Sequence, residues 1–285
     1  MKRWSSVLCL VFALWIFTPI SSAQVHLKKD DRIVFIGSNT AERFQYFGYW
    51  EALLQAQFHD LNLSVRNQGF NGDEVRFRPR SLDFGSPDHH LTRAKADIIF
   101  AFFGFSESFR GEAGLATFRL ELDQFLTHTL AQNYSGKGNA RVVLVSPLSF
   151  ENTGDINLPK GDSQNANLAL YVSAMEAAAK KYQVPFINLF RLSSKLYASS
   201  DQPFTFNGVH LSDDGYKRFA PHFMAALFGV DSKWNATAEA LLPEIEEKNF
   251  NYFHNYRAVN GYYIYGGRSR RDHGNPPYTL SLIHI

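Results

Sequence analysis

The sequence predicts an α/β protein, a three-layer αβα sandwich built on a five-stranded parallel sheet. Three observations carry this reading. Short apolar runs alternate with amphipathic stretches of helical period over residues 32–228, the pattern of a parallel sheet covered on both faces. The run Asp97–Gly104, DIIFAFFG, is almost continuously apolar, as a central strand buried on both faces must be. With 45% hydrophobic and 15% aromatic residues in a chain of 285, there is ample material for one large core.

The elements follow in order. RIVFI (Arg32–Ile36) is the first strand, and YWEALLQAQF (Tyr49–Phe58) spaces Trp50, Leu53, Leu54 and Phe58 along one helical face. LSVRN (Leu63–Asn67) is a short second strand running into the loop QGFNGDEVRFRPR. The third strand is Asp97–Gly104, the fourth ARVVLVSP (Ala140–Pro147) and the fifth PFINLF (Pro185–Phe190). Helices are expected at about 115–131, 164–182 and 212–228, the last with Ser212 as its cap and two aspartates in its first turn. Five such units predict a doubly wound sheet with its ligand site beyond the carboxyl ends of the strands, where strand order reverses. The loops to inspect are therefore 37–40, 68–73, 104–108, 146–152 and 204–211.

The flanks differ in texture. Lys2 and Arg3, the apolar run Val7–Phe17 and Ser21-Ser22-Ala23 compose a secretory leader, so residues 1–23 are expected to be a cleaved signal peptide and the protein secreted or periplasmic. The run is short for a membrane span, and no membrane role is expected once the leader is gone. The single cysteine, Cys9, lies in the leader, so the mature chain is expected to lack disulfides, thiol catalysis and cysteine-held metals. Residues 24–229 form the expected domain. Residues 230–285, rich in Tyr, Phe and Asn, lack the βα alternation and are expected to be an extension packing on the domain or leading to further domains of a longer chain. Net charge is +2 with both signs interspersed, which supports no nucleic-acid role.

At the strand ends the sequence resembles the SGNH, or GDSL-type, esterase superfamily over roughly Asp31–Phe228, a family similar in fold to flavodoxin-like sandwiches. Four short blocks carry the resemblance: Gly37-Ser38-Asn39, the glycine of RNQGFNGD at Gly69, Gly104-Phe105-Ser106-Glu107, and Asn207-Gly208-Val209-His210 followed by LSDDGY. The resemblance implies cleavage of carboxylic or acyl esters, on a carbohydrate or a small acyl compound. It casts His210 as base, Asn207 as its orienter, and Gly69 with Ser106 as oxyanion donors. It puts Asn39 where the nucleophilic serine belongs, Ser106 where an asparagine belongs, and Asn207 where an aspartate belongs.

Those departures bear on the chemistry. Ester cleavage needs a nucleophile, a base and donors facing the oxyanion. An amide is no nucleophile, and loss of a triad serine costs on the order of 10⁶ in rate. Two escapes stand open: Ser38 serving instead after a one-residue slide of the turn, or a water activated by His210 with Glu107 or Asp73. Asn207 is expected to accept the His210 Nδ1–H through its amide oxygen. The rival reading is a catalytically impaired module that keeps the cleft to bind a glycan or protein partner. A flavin-carrying reading is weak because the loops lack a phosphate cradle, and no cofactor or metal is expected. His89-His90 beside Asp88 reads as a solvated helix start, since adjacent histidines diverge on a helix. RFRPR (Arg76–Arg80) could clamp an anionic substrate, but reads more readily as an exposed loop neutralised by Asp73, Glu74 and Asp83. Phe105 and Phe109 are candidates for a pocket mouth.

Overall fold

The computed structural model describes residues 24–81 and 83–257. Its five strands are β1 (Arg32–Gly37), β2 (Ser64–Asn67), β3 (Ile98–Phe102), β4 (Arg141–Val145) and β5 (Phe186–Ile187). They pair in parallel in the order β2-β1-β3-β4-β5. The chain leaves β1 for β2 at one edge and then crosses back to β3, so strand order reverses between β1 and β3. Crevices in doubly wound sheets open beyond such a switch point. Here the register Ile36↔Ala101 and Gly37↔Phe102 brings the exits of β1 and β3 level.

Alternate residues of the central strands feed two cores. Ile33, Phe35, Phe100 and Phe102 face α2 (Tyr49–Gln57) and α8 (Asp213–Phe228), where Trp50 and Phe223 meet them. Phe35 lies 5.0–5.7 Å, ring to ring, from Phe44, Trp50, Phe100 and Phe102. Val34, Ile36, Ile99 and Ala101 face α3 (Pro87–Ala94), α5 (Leu115–Leu130) and α6 (Asp162–Tyr182), through Leu91, Phe118, Leu122 and Met175. Each large side chain fully buried this way stabilises the fold by about 1.5–3 kcal/mol. β3 is therefore apolar at every position and β1 at every position after Arg32, as the sequence pattern requires.

One strand differs from expectation, and the extension after the domain packs on it, as one of its two readings had it. The fifth strand is two residues long, because the Asn188 side chain accepts from Arg191 N–H and starts α7 (Leu189–Ala198) where a strand was expected. The described part of the C-terminal extension is one long helix, α9 (Ala236–Tyr256), capped by the Asn235 side chain on Ala238 N–H. Ala238 and Ile245 are buried in the first core beside α2, and Lys248 Nζ reaches Glu51 at 2.5 Å and the Val65 carbonyl at 3.3 Å. The expected signal peptide at 1–23 and residues 258–285 lie outside the described residues.

Candidate active site

The first catalytic block sits where β1 ends. Gly37 has φ +114°, and a Cβ there would run into the Phe102 carbonyl of β3, so only glycine fits the turn. Ser38 donates its N–H to Phe102 O at 3.0 Å and precedes α1 (Asn39–Arg43). Asn39, the first residue of α1, is the side chain turned to the imidazole, its Nδ2 lying 3.4 Å from His210 Nε2. The one-residue slide has not occurred. Ser38 is buried and its hydroxyl donates to Asn39 Oδ1 at 3.2 Å, with no contact to His210 among the described residues.

Before α8, an isolated bridge between Thr205 and Leu211 closes the loop that carries the last block. Asn207 folds the loop on itself: its Oδ1 accepts from Val209 N–H (3.1 Å) and His210 N–H (2.9 Å), while its Nδ2 faces His210 Nδ1 at 3.0 Å. The amide oxygen expected to take the Nδ1–H is thus already occupied, and that expectation is corrected. Asn39 is fixed in the same sense, its Oδ1 accepting from Thr40 N–H at 2.9 Å. Both amides therefore turn NH₂ groups to the ring.

A neutral imidazole has one acceptor nitrogen and one N–H. The shorter contact assigns the lone pair to Nδ1 and leaves the proton on Nε2, an assignment made from the hydrogen-bond network. A serine triad needs the reverse, with Nδ1–H held by a carboxylate and Nε2 free to take a proton. His210 is also held neutral: burial pulls its pKa below the ordinary histidine value, and the Arg43 cation adds to this. The Arg43 guanidinium lies 5.4 Å from the Phe206 ring, which in turn stacks on His210 with centroids 5.8 Å apart. A cation stands near the imidazole, and a neutral amide holds the place at Nδ1 where a triad has an anion.

The expected oxyanion donors fare differently. Gly69 N–H donates to Asn67 Oδ1 at 2.9 Å, and Gly69 itself is pressed onto α1, where a Cβ would meet Glu42 N at 2.7 Å. Ser106, in the short helix α4 (Phe105–Ser108), is partly buried and makes no hydrogen bond among the described residues. Glu107 is an anchor, not a base: its two carboxylate oxygens accept from Val75 N–H and Gly104 N–H, each at 2.9 Å, and burial pushes its pKa up to about 7. Asp73 is buried in a two-pronged pair with Arg80, at 2.8 and 2.7 Å. Phe105 and Phe150 line a narrow crevice beside Asn39, Thr40 and Val209, on a side that His210 does not line, and Phe109 stands 71% exposed beside Phe105. Among the described residues no three His, Cys, Asp or Glu side chains are grouped to hold a metal ion.

Asn39, His210 and Asn207 are thus brought together at the exits of β1 and the α8 loop, on the scaffold the four blocks imply. The profile of the GDSL-like lipase/acylhydrolase family matches residues 34–218. The chain belongs to that family. Among solved structures it is similar to Axe2, an acetylxylan esterase from Geobacillus stearothermophilus, at 16% identity and a TM-score of 0.52, covering 70% of this chain and 95% of that one. It is similar also to LAE5, an alpha/beta hydrolase enzyme from the metagenome of Lake Arreo, Spain, at 17% identity and a TM-score of 0.52, covering 70% and 96%. At such identities the likeness shows the fold. No curated protein matches the sequence.

Within this acylhydrolase scaffold, sequence reasoning missed Arg43, Phe206, Phe150 and Asn67. Only Asn67 carried a signal: a polar residue at the end of a strand, two before the block glycine, is placed to cap that glycine's N–H.

Proposed function

We propose that this acylhydrolase-family protein takes carboxylic or acyl esters, on a carbohydrate or a small acyl compound, into the cleft at Asn39 and His210, and that it binds them far better than it cleaves them. Family membership supports ester hydrolysis as the class of chemistry. The observation that carries the finer reading is the imidazole faced on both nitrogens by amide NH₂ groups. Such a site offers Asn39 N–H and His210 Nε2–H as donors to an ester oxygen and lacks both a nucleophile and a base. The expected losses are large: on the order of 10⁶ for a missing nucleophile, and about 10⁴ for the wrong histidine tautomer. These are not additive, but either alone brings turnover near background. Export rests on the leader-like residues 1–23 and belongs to the same proposal.

A second reading, hydrolysis with Ser38 or a water as nucleophile, is favoured by the family alone. The two separate in one assay on p-nitrophenyl acetate and an acetylated xylo-oligosaccharide. The proposed reading expects saturable binding of the acetylated sugar with turnover near the uncatalysed rate. Ready turnover lost in both Ser38→Ala and His210→Ala would replace it with the second.

A further inference from the structure

A sizeable cavity lies apart from the imidazole cleft, with neither Asn39, Asn207 nor His210 in its lining. It encloses about 550 Å³ beneath the loop that follows β2, between that loop, α3, α5 and the end of α9. This volume is in the range of small-molecule sites, about 300–1,000 Å³. Leu91, Phe84 and Phe125 give it apolar wall, and Gln68, Tyr134 and His128 polar wall.

The loop was expected to be exposed and neutralised by its own acids. Arg76 and Phe77 are exposed, but Arg78 turns inward. Its guanidinium lies 5.0 and 5.7 Å from the Phe103 and Phe125 rings. Its Nη2 donates to Val75 O at 2.8 Å and its Nε to Glu74 O at 3.3 Å. No carboxylate pairs with it among the described residues. Asp73 is engaged by Arg80, Asp88 by Tyr134 (2.5 Å) and His128 (2.8 Å), and Glu74 pairs with Arg110. Removal from water is the main influence on this cation, lowering its affinity for the proton, with the more distant Asp73 and Glu107 acting the other way. Charges held away from water are ordinarily paired. Arg78 instead has main-chain carbonyls on one edge, rings beside it, and open cavity.

We propose that this cavity is a binding site for a small organic monocarboxylate with a ring-sized body, its carboxylate held by the free edge of Arg78. A planar guanidinium recognises a carboxylate through two parallel N–H donors. The ring-sized body fits the mixed wall, with Gln68 and Tyr134 beside apolar Leu91 and Phe125. A single negative charge suits the site because, Arg78 aside, Arg76 and Arg80 are offset by Asp73, Asp88 and Glu121 in the same lining, which leaves no surplus of positive charge for a dianion.

Calorimetric titration of the full chain tests this with D-glucuronate and benzoate as charged ring-sized probes, D-glucose as the neutral control and inorganic phosphate as the dianion. The expected result is saturable binding of at least one carboxylate, none of glucose, and weaker binding of phosphate. Arg78→Lys keeps the charge and the stem but not the two-pronged edge, so affinity should fall about 10- to 100-fold, the worth of a charged hydrogen bond. Arg78→Met should abolish binding; if that variant does not fold, Arg78→Lys alone decides. No saturable binding of either carboxylate, tighter binding of phosphate, or unchanged affinity in Arg78→Lys would overturn the site. Esterase activity is not read in this experiment, so its outcome is separate from that of the imidazole cleft.

Discussion

Two polar regions of this protein treat their hydrogen-bonding groups in opposite ways. Around His210, every amide oxygen is engaged by a neighbouring N–H, the block glycine has given its N–H to Asn67, and the Phe206 ring stacks on the imidazole. Around Arg78, a cation withdrawn from water makes no ion pair among the described residues and faces about 550 Å³ of cavity. The first region keeps the outline of a catalytic centre with its donors and acceptors turned on each other. The second has no catalytic outline and an unmet charge. A catalytic outline and an unmet binding demand are thus separate properties, and on one scaffold they can sit in different places.

The sharpest way to break the comparison is to give the imidazole region its unmet demand back. Asn39→Ser combined with Asn207→Asp supplies a hydroxyl near Nε2 and a carboxylate at Nδ1. The carboxylate would hold Nδ1–H and free Nε2 as base, even against the Arg43 cation. The double variant should gain at least about 10³ in kcat/KM on p-nitrophenyl acetate over the parent, well below the full triad effect of on the order of 10⁶ because Gly69 N–H remains tied. Each single variant should gain little, since a nucleophile without a base, or a base without a nucleophile, does not complete the step. A double variant as inert as the parent would mean that the tied Gly69 N–H and the missing oxyanion donors, not the nucleophile and base, limit this region.

That gain is predictable because the scaffold was readable from the chain. The apolar period placed β1 through β4 and the helices α2, α5, α6 and α8 within a few residues, since burial on both faces leaves an unmistakable pattern in runs such as Asp97–Gly104. Asn39, Asn207 and His210 were found through short blocks at strand exits. What the sequence did not carry were choices made in three dimensions. Asn188 could cap a helix or extend a strand, and capping won. Asn207 could present oxygen or nitrogen to His210, and the backbone N–H groups of the loop took the oxygen. Arg78 lies in a loop of alternating charge, and nothing local says that it and Arg80 turn inward while Arg76 stays exposed.

The next effect in size contrasts how the regions are held together. Asp73 and Arg80 form a two-pronged pair with Asp73 2% exposed, beside the Arg78 cavity. Removing one member of such a pair leaves the other uncompensated, at about 3 kcal/mol. Asp73→Asn should therefore lower the urea midpoint clearly. Asn39→Ala in the imidazole region removes neutral hydrogen bonds worth about 1 kcal/mol each at most and should lower it less. Equal losses would mean that the two regions are not built on different kinds of contact.

The smallest effects are in pH, and there the regions differ in sign. Glu107, whose oxygens anchor Val75 of the cavity loop, has its pKa raised by burial from 4.5 to about 7. A raised folded-state pKa gives stability that is fully present below about 4.5 and lost as pH rises through about 7, by at most roughly 3 kcal/mol. His210 has its pKa lowered, chiefly by burial, so its contribution is present above the ordinary histidine value and lost as pH falls below it. Chemical denaturation from pH 5 to 8 should show Glu107→Gln destabilised overall, because one backbone N–H then meets an amide NH₂, but with a flatter fall toward pH 8. His210→Gln should leave that fall intact and remove only the smaller loss toward pH 5. If His210→Gln flattened the alkaline limb instead, the imidazole would be carrying a proton at neutral pH, and the neutral Nε2–H donor on which the ester-binding reading depends would be wrong.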